Sequence, residues 1–152
     1  MNEKNLDHWS RMYLEQVTHA RHHETLRAQS TNLVVVVSAA LLAFLASNAA
    51  TPGRQVMVGI FLIAVNVYGL LMSLKHYERS RLHVTVASRY RDVLSENTPI
   101  GGQTLNEARA SGHQAHSDRF PIPLIAGVRA YALWSGLHLL LAVIGSWVAF
   151  YR

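Results

Sequence analysis

Three apolar runs constrain what this chain can fold into. Residues 33–50 hold nothing more polar than Ser38, Ser47 and Asn48, residues 56–74 are interrupted only by Asn66 and Ser73, and residues 131–151 carry Ser135, His138 and Ser146 as their polar members. At about 1.5 Å per helical residue, runs of 18, 19 and 21 residues extend roughly 27–32 Å, the thickness of a bilayer's hydrocarbon core. A helix that is apolar on every side needs lipid or a large protein shell around it. In a chain of 152 residues, half of them hydrophobic, too little sequence is left to build such a shell. The expectation is an all-α integral membrane protein with three transmembrane helices. A signal peptide does not explain the first run, which follows about thirty polar, acid-containing residues. With no cysteine, neither a disulfide nor a thiolate metal site can form.

The charges set an expected topology. Lys4, Arg11, Arg21 and Arg27 precede the first run, only Arg54 lies between the first and second, and eight basic residues lie between the second and third: Lys75, Arg79, Arg81, Arg89, Arg91, Arg109, Arg119 and Arg129. The positive-inside rule then places the N-terminus and residues 75–130 in the cytoplasm and residues 51–55 and the C-terminus outside, across a bacterial inner membrane. Lys75, Arg79 and Arg81 follow within two turns of the membrane exit, where anionic headgroups attract cations at about 1 kcal/mol each. Together with Arg89 and Arg91 they form the expected contact with membrane lipids or with a cytoplasmic protein partner. Topology and lipid contact account for the formal charge of +5; nucleic-acid binding would call for aromatics interleaved on an exposed face.

From residue 1 to 51 there is neither Gly nor Pro, and Leu6, Trp9, Tyr13, Val17 and Ala20 recur in steps of three and four, an apolar stripe of helical period. One helix of forty or more residues therefore begins in the cytoplasm and continues into the membrane. The Pro and Gly of TPGR turn the chain back. Residues 70–98 again lack Gly and Pro, and Leu82, Val86, Tyr90 and Val93 continue the stripe, so the first two spans form a hairpin that extends beyond the bilayer. Asn97, Thr98, Pro99, Gly101 and Gly102 end the second arm. Thr104 and Glu107 have the spacing of a capping box, which predicts a short helix through about Asp118. Pro121 and Pro123 end it, and a last helix runs over residues 124–151, with Arg129 at the interface. The chain thus reads as a single membrane domain: a cytoplasmic helix at 1–31, spans at 33–50, 56–74 and 131–151, and a cytoplasmic helical segment at 75–130.

Candidate chemistry is sparse. His138 and Asn66 fall seven and eight residues from the cytoplasmic ends of their spans, with Ser38 and Ser135 slightly shallower, which suggests a polar layer. An ionisable residue inside a span marks a functional position by default. The layer holds three helices together by hydrogen bonds, lines a water-filled pore or gate, or carries a proton relay. Ala39, Ala43 and Ser47, Ala132 and Gly136, Ala142 and Ser146, and Gly145 and Ala149 place small residues four apart, spacing that lets helices approach closely in lipid, within a chain or between copies. His19 and His23 share a helical face with Glu15, a spacing that can bind zinc, but a catalytic site needs a third ligand and a water-activating carboxylate, and HExxH is absent. Arg109 and His116 match the R-x4-6-H spacing of HEPN ribonucleases, a match expected by chance among twelve Arg and nine His. No nucleophile elbow, P-loop or paired-carboxylate pattern occurs, so neither an enzyme nor a cofactor is expected.

The order of parts, with a second arm reading KHYERSRLHVTVASRYRDVL and a last span opening RAYALWSGLHLLL, resembles small membrane effectors of bacterial antiphage systems. Among them it is similar in layout to the CRISPR-associated membrane accessory proteins that partner type VI-B RNA-guided nucleases. That resemblance implies a homo-oligomeric, ring-like pore, membrane depolarisation as the output, and Arg109 and His116 as the HEPN-like element. The leading expectation is an oligomeric inner-membrane effector that perturbs permeability in antiphage defence. The alternatives are a non-conducting membrane anchor that docks a cytoplasmic partner and, third, an HEPN-like ribonuclease.

Overall fold

The computed structural model describes residues 2–47, 51–97, 102–119 and 130–151, which form four helices: α1 (Glu3–Ala46), α2 (Pro52–Asn97), α3 (Leu105–Arg119) and α4 (Ala130–Tyr151). The stretch without Gly or Pro becomes a single 44-residue helix. Asn2 Oδ1 caps it by accepting from the Asn5 amide at 2.9 Å, and Ser47 closes its last turn on the Phe44 carbonyl. Pro52 takes the first position of α2, where its missing N–H costs nothing, and α2 continues for 46 residues through Lys75 without a break. The capping box at α3 forms as expected: the Thr104 amide donates to Glu107 Oε2 at 2.7 Å, and the Glu107 amide donates to Thr104 Oγ1 at 3.2 Å. Gly102, just before it, has a φ of 83° that favours glycine. The expected break at Pro121 and Pro123, the helix start at residue 124, Arg129, and the terminators Thr98, Pro99 and Gly101 lie outside the described residues.

Three helices are long and apolar enough to cross a membrane, those at Glu3–Ala46, Pro52–Asn97 and Tyr131–Tyr151. Within their most apolar 18-residue windows only 22, 28 and 22% of positions are buried, so most of that apolar surface faces outward, as lipid-facing helices require and the core helices of a soluble bundle do not.

The chain divides into two compact units, and each long helix contributes a segment to both. The first unit comprises α1 through His23, α2 from Glu78, and α3. Here Trp9 meets Tyr90 with ring centroids 5.5 Å apart, and Gln16 meets His83, so ascending positions on α1 pair with descending positions on α2. The α2 seam differs from the apolar stripe expected from sequence. Leu82 is 45% exposed, whereas Ser80, Ala87, Leu94 and Ser95 are buried. Three of these four buried side chains are small, and hydropathy alone does not detect them. No residue of α3 is buried.

The second unit comprises α1 from Glu24, α2 through Tyr77, and α4. Val34, Leu45, Leu62, Val148 and Ala149 form its apolar core. Helices α2 and α4 cross at glycine: a Cβ on Gly59 would lie 2.8 Å from the Gly145 carbonyl oxygen and the Ala149 amide nitrogen, and one on Gly145 would lie 2.9 Å from the Gly59 carbonyl oxygen. The neighbours are backbone atoms, which cannot move aside. A Cβ on Gly136, by contrast, would meet nothing within 4 Å. Gly59→Val should therefore lower the thermal midpoint in detergent, followed by circular dichroism at 222 nm, at an overpacking cost of about 1–3 kcal/mol. Gly136→Ala should leave the midpoint unchanged.

Candidate functional site

Asn66, on α2, is fully buried at 0% exposure, and its one side chain reaches both neighbouring helices. Its Nδ2 donates to Ser38 Oγ on α1 at 2.9 Å and to the Leu62 carbonyl of its own helix at 3.0 Å. Both amide hydrogens are thereby used, and the Leu62 carbonyl fixes which end of the amide is the nitrogen. Asn66 Oδ1 then faces His138 Nδ1 of α4 at 3.3 Å, so Nδ1 carries the proton and donates. In the neutral ring this leaves Nε2 as an acceptor, and it has no partner among the described residues. The imidazole sits where α2 has no side chain: a Cβ on Gly69 would lie 2.6 Å from His138 Cε1.

The expected polar layer is thus a hydrogen-bonded triad of Ser38, Asn66 and His138, each at most 1% exposed. Ser135 does not join it. Its hydroxyl is buried one turn away on α4 and has no partner among the described residues. The triad lies inside a single three-helix unit, while the outward positions of the spans are filled by residues such as Val36, Ile60, Phe61, Leu71, Leu139, Val143 and Phe150. Each interhelical hydrogen bond in such surroundings contributes about 0.6 kcal/mol, with a ceiling near 1.7.

Sequence reasoning missed the end of this unit nearest Glu24. Arg27 is only 7% exposed. It is paired with Glu24 three residues earlier and lies 5.8 Å from the centre of the Tyr77 ring, which in turn packs 4.5 Å from the Tyr131 ring. Arg27 counted in the sequence only as a topology-setting charge. The readable signal was Glu24 at i−3, a spacing that pairs side chains on a helix. Thr31 and Ser73, both 1% exposed with unpartnered hydroxyls, were also missed.

The other candidates lie in the first unit or on exposed α2 surface. His19 and His23 both stack on His83, with centroids 5.1 and 5.5 Å apart, while His83 Nδ1 pairs with Gln16 Oε1 at 2.7 Å. The rings lie face to face and do not converge their nitrogens; among the described residues no group of three or more His, Asp or Glu side chains could hold a metal ion. Arg109 lines an open groove of about 440 Å³ with Arg91, Asp92, Asn106, Ala110 and His113. His116 is not part of that lining, so the groove does not unite the expected Arg109 and His116 pair. Lys75, Arg79, Arg81 and Arg89 are exposed, and Arg91 is partly buried.

Arg91 organises the docking of α3. Its Nε donates to Asn106 Oδ1 at 3.0 Å and its Nη2 to Asp92 Oδ1 at 3.0 Å, while the Asn106 amide donates to Ser95 Oγ at 3.1 Å. The Arg91 hydrogen bond, assisted by Asn106 and by the charges of Arg91 and Arg89, holds the Asp92 carboxyl below its ordinary value of 3.8 against a smaller opposing effect of desolvation. The Thr104 backbone and hydroxyl likewise lower Glu107.

Comparison with protein-family models, with characterised proteins and with solved structures finds no match to this chain.

Two outcomes follow from these contacts. Asn66→Leu removes the shared partner of Ser38 and His138 and leaves both buried without a bond, so the thermal midpoint in detergent should fall, by the equivalent of about 1–3 kcal/mol. Because the Asp92 carboxyl is lowered in the folded chain, its contribution to α3 docking is complete above pH 3.8 and is lost as pH falls through the folded value. An NMR titration should show the Asn106 amide signal unchanged down to that pH and shifting together with the Asp92 carboxyl below it.

Proposed function

We propose that this chain is an oligomeric protein of the bacterial inner membrane that perturbs membrane permeability, acting as an effector of antiphage defence. In this reading α1 and α2 form a hairpin whose first unit stands in the cytoplasm, with the N-terminus inside and the C-terminus outside, as the distribution of Lys and Arg suggests. The observation that carries the reading is the fate of the small-residue faces. Gly145 and Ala149 are buried against Gly59 and are used within the chain. Ala39 and Ala43 on α1, Ser47 just past its end, and Ala132 and Gly136 on α4 remain exposed at the same four-residue spacing. Small residues at that spacing support close helix approach in lipid, and here another copy is the available partner. A ring of copies can enclose a path that three spans alone cannot.

One observation favours a second reading, a non-conducting anchor that docks a cytoplasmic protein. The buried polar side chains of the spans turn into each chain, not toward a lumen between copies, and exposed cations at Arg79, Arg81 and Arg89 line α2. Loss of membrane potential on induced expression separates the two. As an effector, the protein depolarises the cell, Gly136→Leu abolishes the effect and yields monomers in detergent, and Arg89→Glu with Arg91→Glu leaves depolarisation in place. A wild-type chain that is strictly monomeric in detergent and leaves the potential intact would sink the effector reading and favour the anchor.

A further inference from the structure

Among the described residues of the second unit, the buried Thr31 Oγ1, Ser73 Oγ, Ser135 Oγ and His138 Nε2 have no hydrogen-bond partner. Their placement is ordered. Eleven residues separate Arg27 from Ser38 on α1, and eleven separate Tyr77 from Asn66 on α2, so the Arg27–Tyr77 and Ser38–Asn66 contacts share one antiparallel register. In that register Thr31, four residues past Arg27, stands level with Ser73, four residues before Tyr77. On α4, Ser135 lies four residues past Tyr131, which packs on the same Tyr77. Two hydroxyls from facing helices therefore share one level, and Ser135, one turn before His138 on α4, stands between that level and the triad.

That level lies seven residues, about 10 Å, from the Ser38–Asn66–His138 triad along α1 and α2. On its other side, one turn away, are Arg27 and Tyr77, with the half-exposed Glu24. Beyond the triad the character reverses. One turn on, Leu62 is 0% exposed, and seven residues on, Leu45 faces the level where Gly59 and Gly145 bring two backbones into contact. The polar side chains thus form a file with a charged mouth at one end and a closed apolar end.

We propose that this file is a blind path for water, entered beside Glu24 and Arg27 and ending at His138 Nε2. An unbonded buried hydroxyl costs about 1–3 kcal/mol, and three of them strung between Arg27 and the imidazole of His138 would be a large penalty in a dry unit. Bound water removes it, since a buried water makes about three hydrogen bonds to groups of this kind. An ionisable side chain within a membrane segment characteristically faces either a partner or a water-filled space, and His138 has a partner on one nitrogen only. The path gives the second nitrogen contact with solvent from a single side of the membrane. It belongs to one chain and stands whether or not copies assemble.

The absence of cysteine makes the path testable in the whole 152-residue chain. Ser73→Cys and Ser135→Cys, each close to serine in volume, are treated with Ag⁺ in detergent, with Leu62→Cys as the residue beyond the end; a thiol reacts only where the ion and water reach it. The expected result is complete reaction at positions 73 and 135 while position 62 stays unmodified over the same time. Reaction at Leu62→Cys as fast as at the serine positions would mean a path open at both ends, and no reaction at any position would mean a dry unit; either overturns the proposal. Ser73→Ala and Ser135→Ala give an independent reading. Loss of a water-bonded hydroxyl should lower the thermal midpoint by about 2–4 °C, the shift for about 1 kcal/mol in a chain of this size, whereas an unchanged or raised midpoint overturns the proposal.

Discussion

The Asn66 amide is the contact on which the second unit depends. Lipid offers a polar side chain no alternative partner, so a group placed in an apolar helix must find its hydrogen bonds inside the protein. Asn66 does this with all three of its polar contacts, one to each neighbouring helix and one to its own backbone. Because the contacts are directional, they fix rotation as well as distance. Ser38 and His138 must face inward, and the apolar remainder of each helix is then turned outward. The hydrophobic effect cannot do this where the solvent is itself hydrocarbon.

Glycine makes that geometry reachable. At Gly69 the missing Cβ leaves room for the imidazole, and at Gly59 and Gly145 it lets two backbones touch, so α2 and α4 are close along two separate stretches. Both are cases of steric permission from one helix used by another. The first unit uses the same device in a milder form, with Ser80, Ala87 and Ser95 in its buried seam.

Much of this was legible in the sequence, because the signals were local. The three apolar runs, the capping box at Thr104 and Glu107, and the long helices without Gly or Pro each depend on residues within a few positions of one another. Depth counting also brought Ser38, Asn66 and His138 together, because helical rise converts residue number into height. What it could not supply was azimuth. Ser135 lies at nearly the right height yet has no partner among the described residues, and Arg109 shares its groove with His113 and not His116. The stripe of the first unit was legible in part: Trp9 packs on Tyr90 as its period requires, but Leu82 is exposed, and the buried Ser80, Ala87 and Ser95 escaped notice because hydropathy weights large apolar residues. Arg27 was hidden for a related reason: its charge suited a topology rule, and its burial depends on Tyr77, fifty residues away.

The energies involved separate a staple from a switch. A hydrogen bond between membrane helices contributes about 0.6 kcal/mol, close to RT, so the Asn66 contacts select an arrangement without locking it. Glycine contacts between backbones are less forgiving, since any rotation that carries a side chain into the Gly59–Gly145 crossing meets atoms that cannot yield. The unit therefore has a rigid half, at the glycine crossing, and a polar half in which Thr31, Ser73, Ser135 and His138 hold unused bonding capacity. In the polar half a small helix rotation can exchange one weak partner for another at little cost.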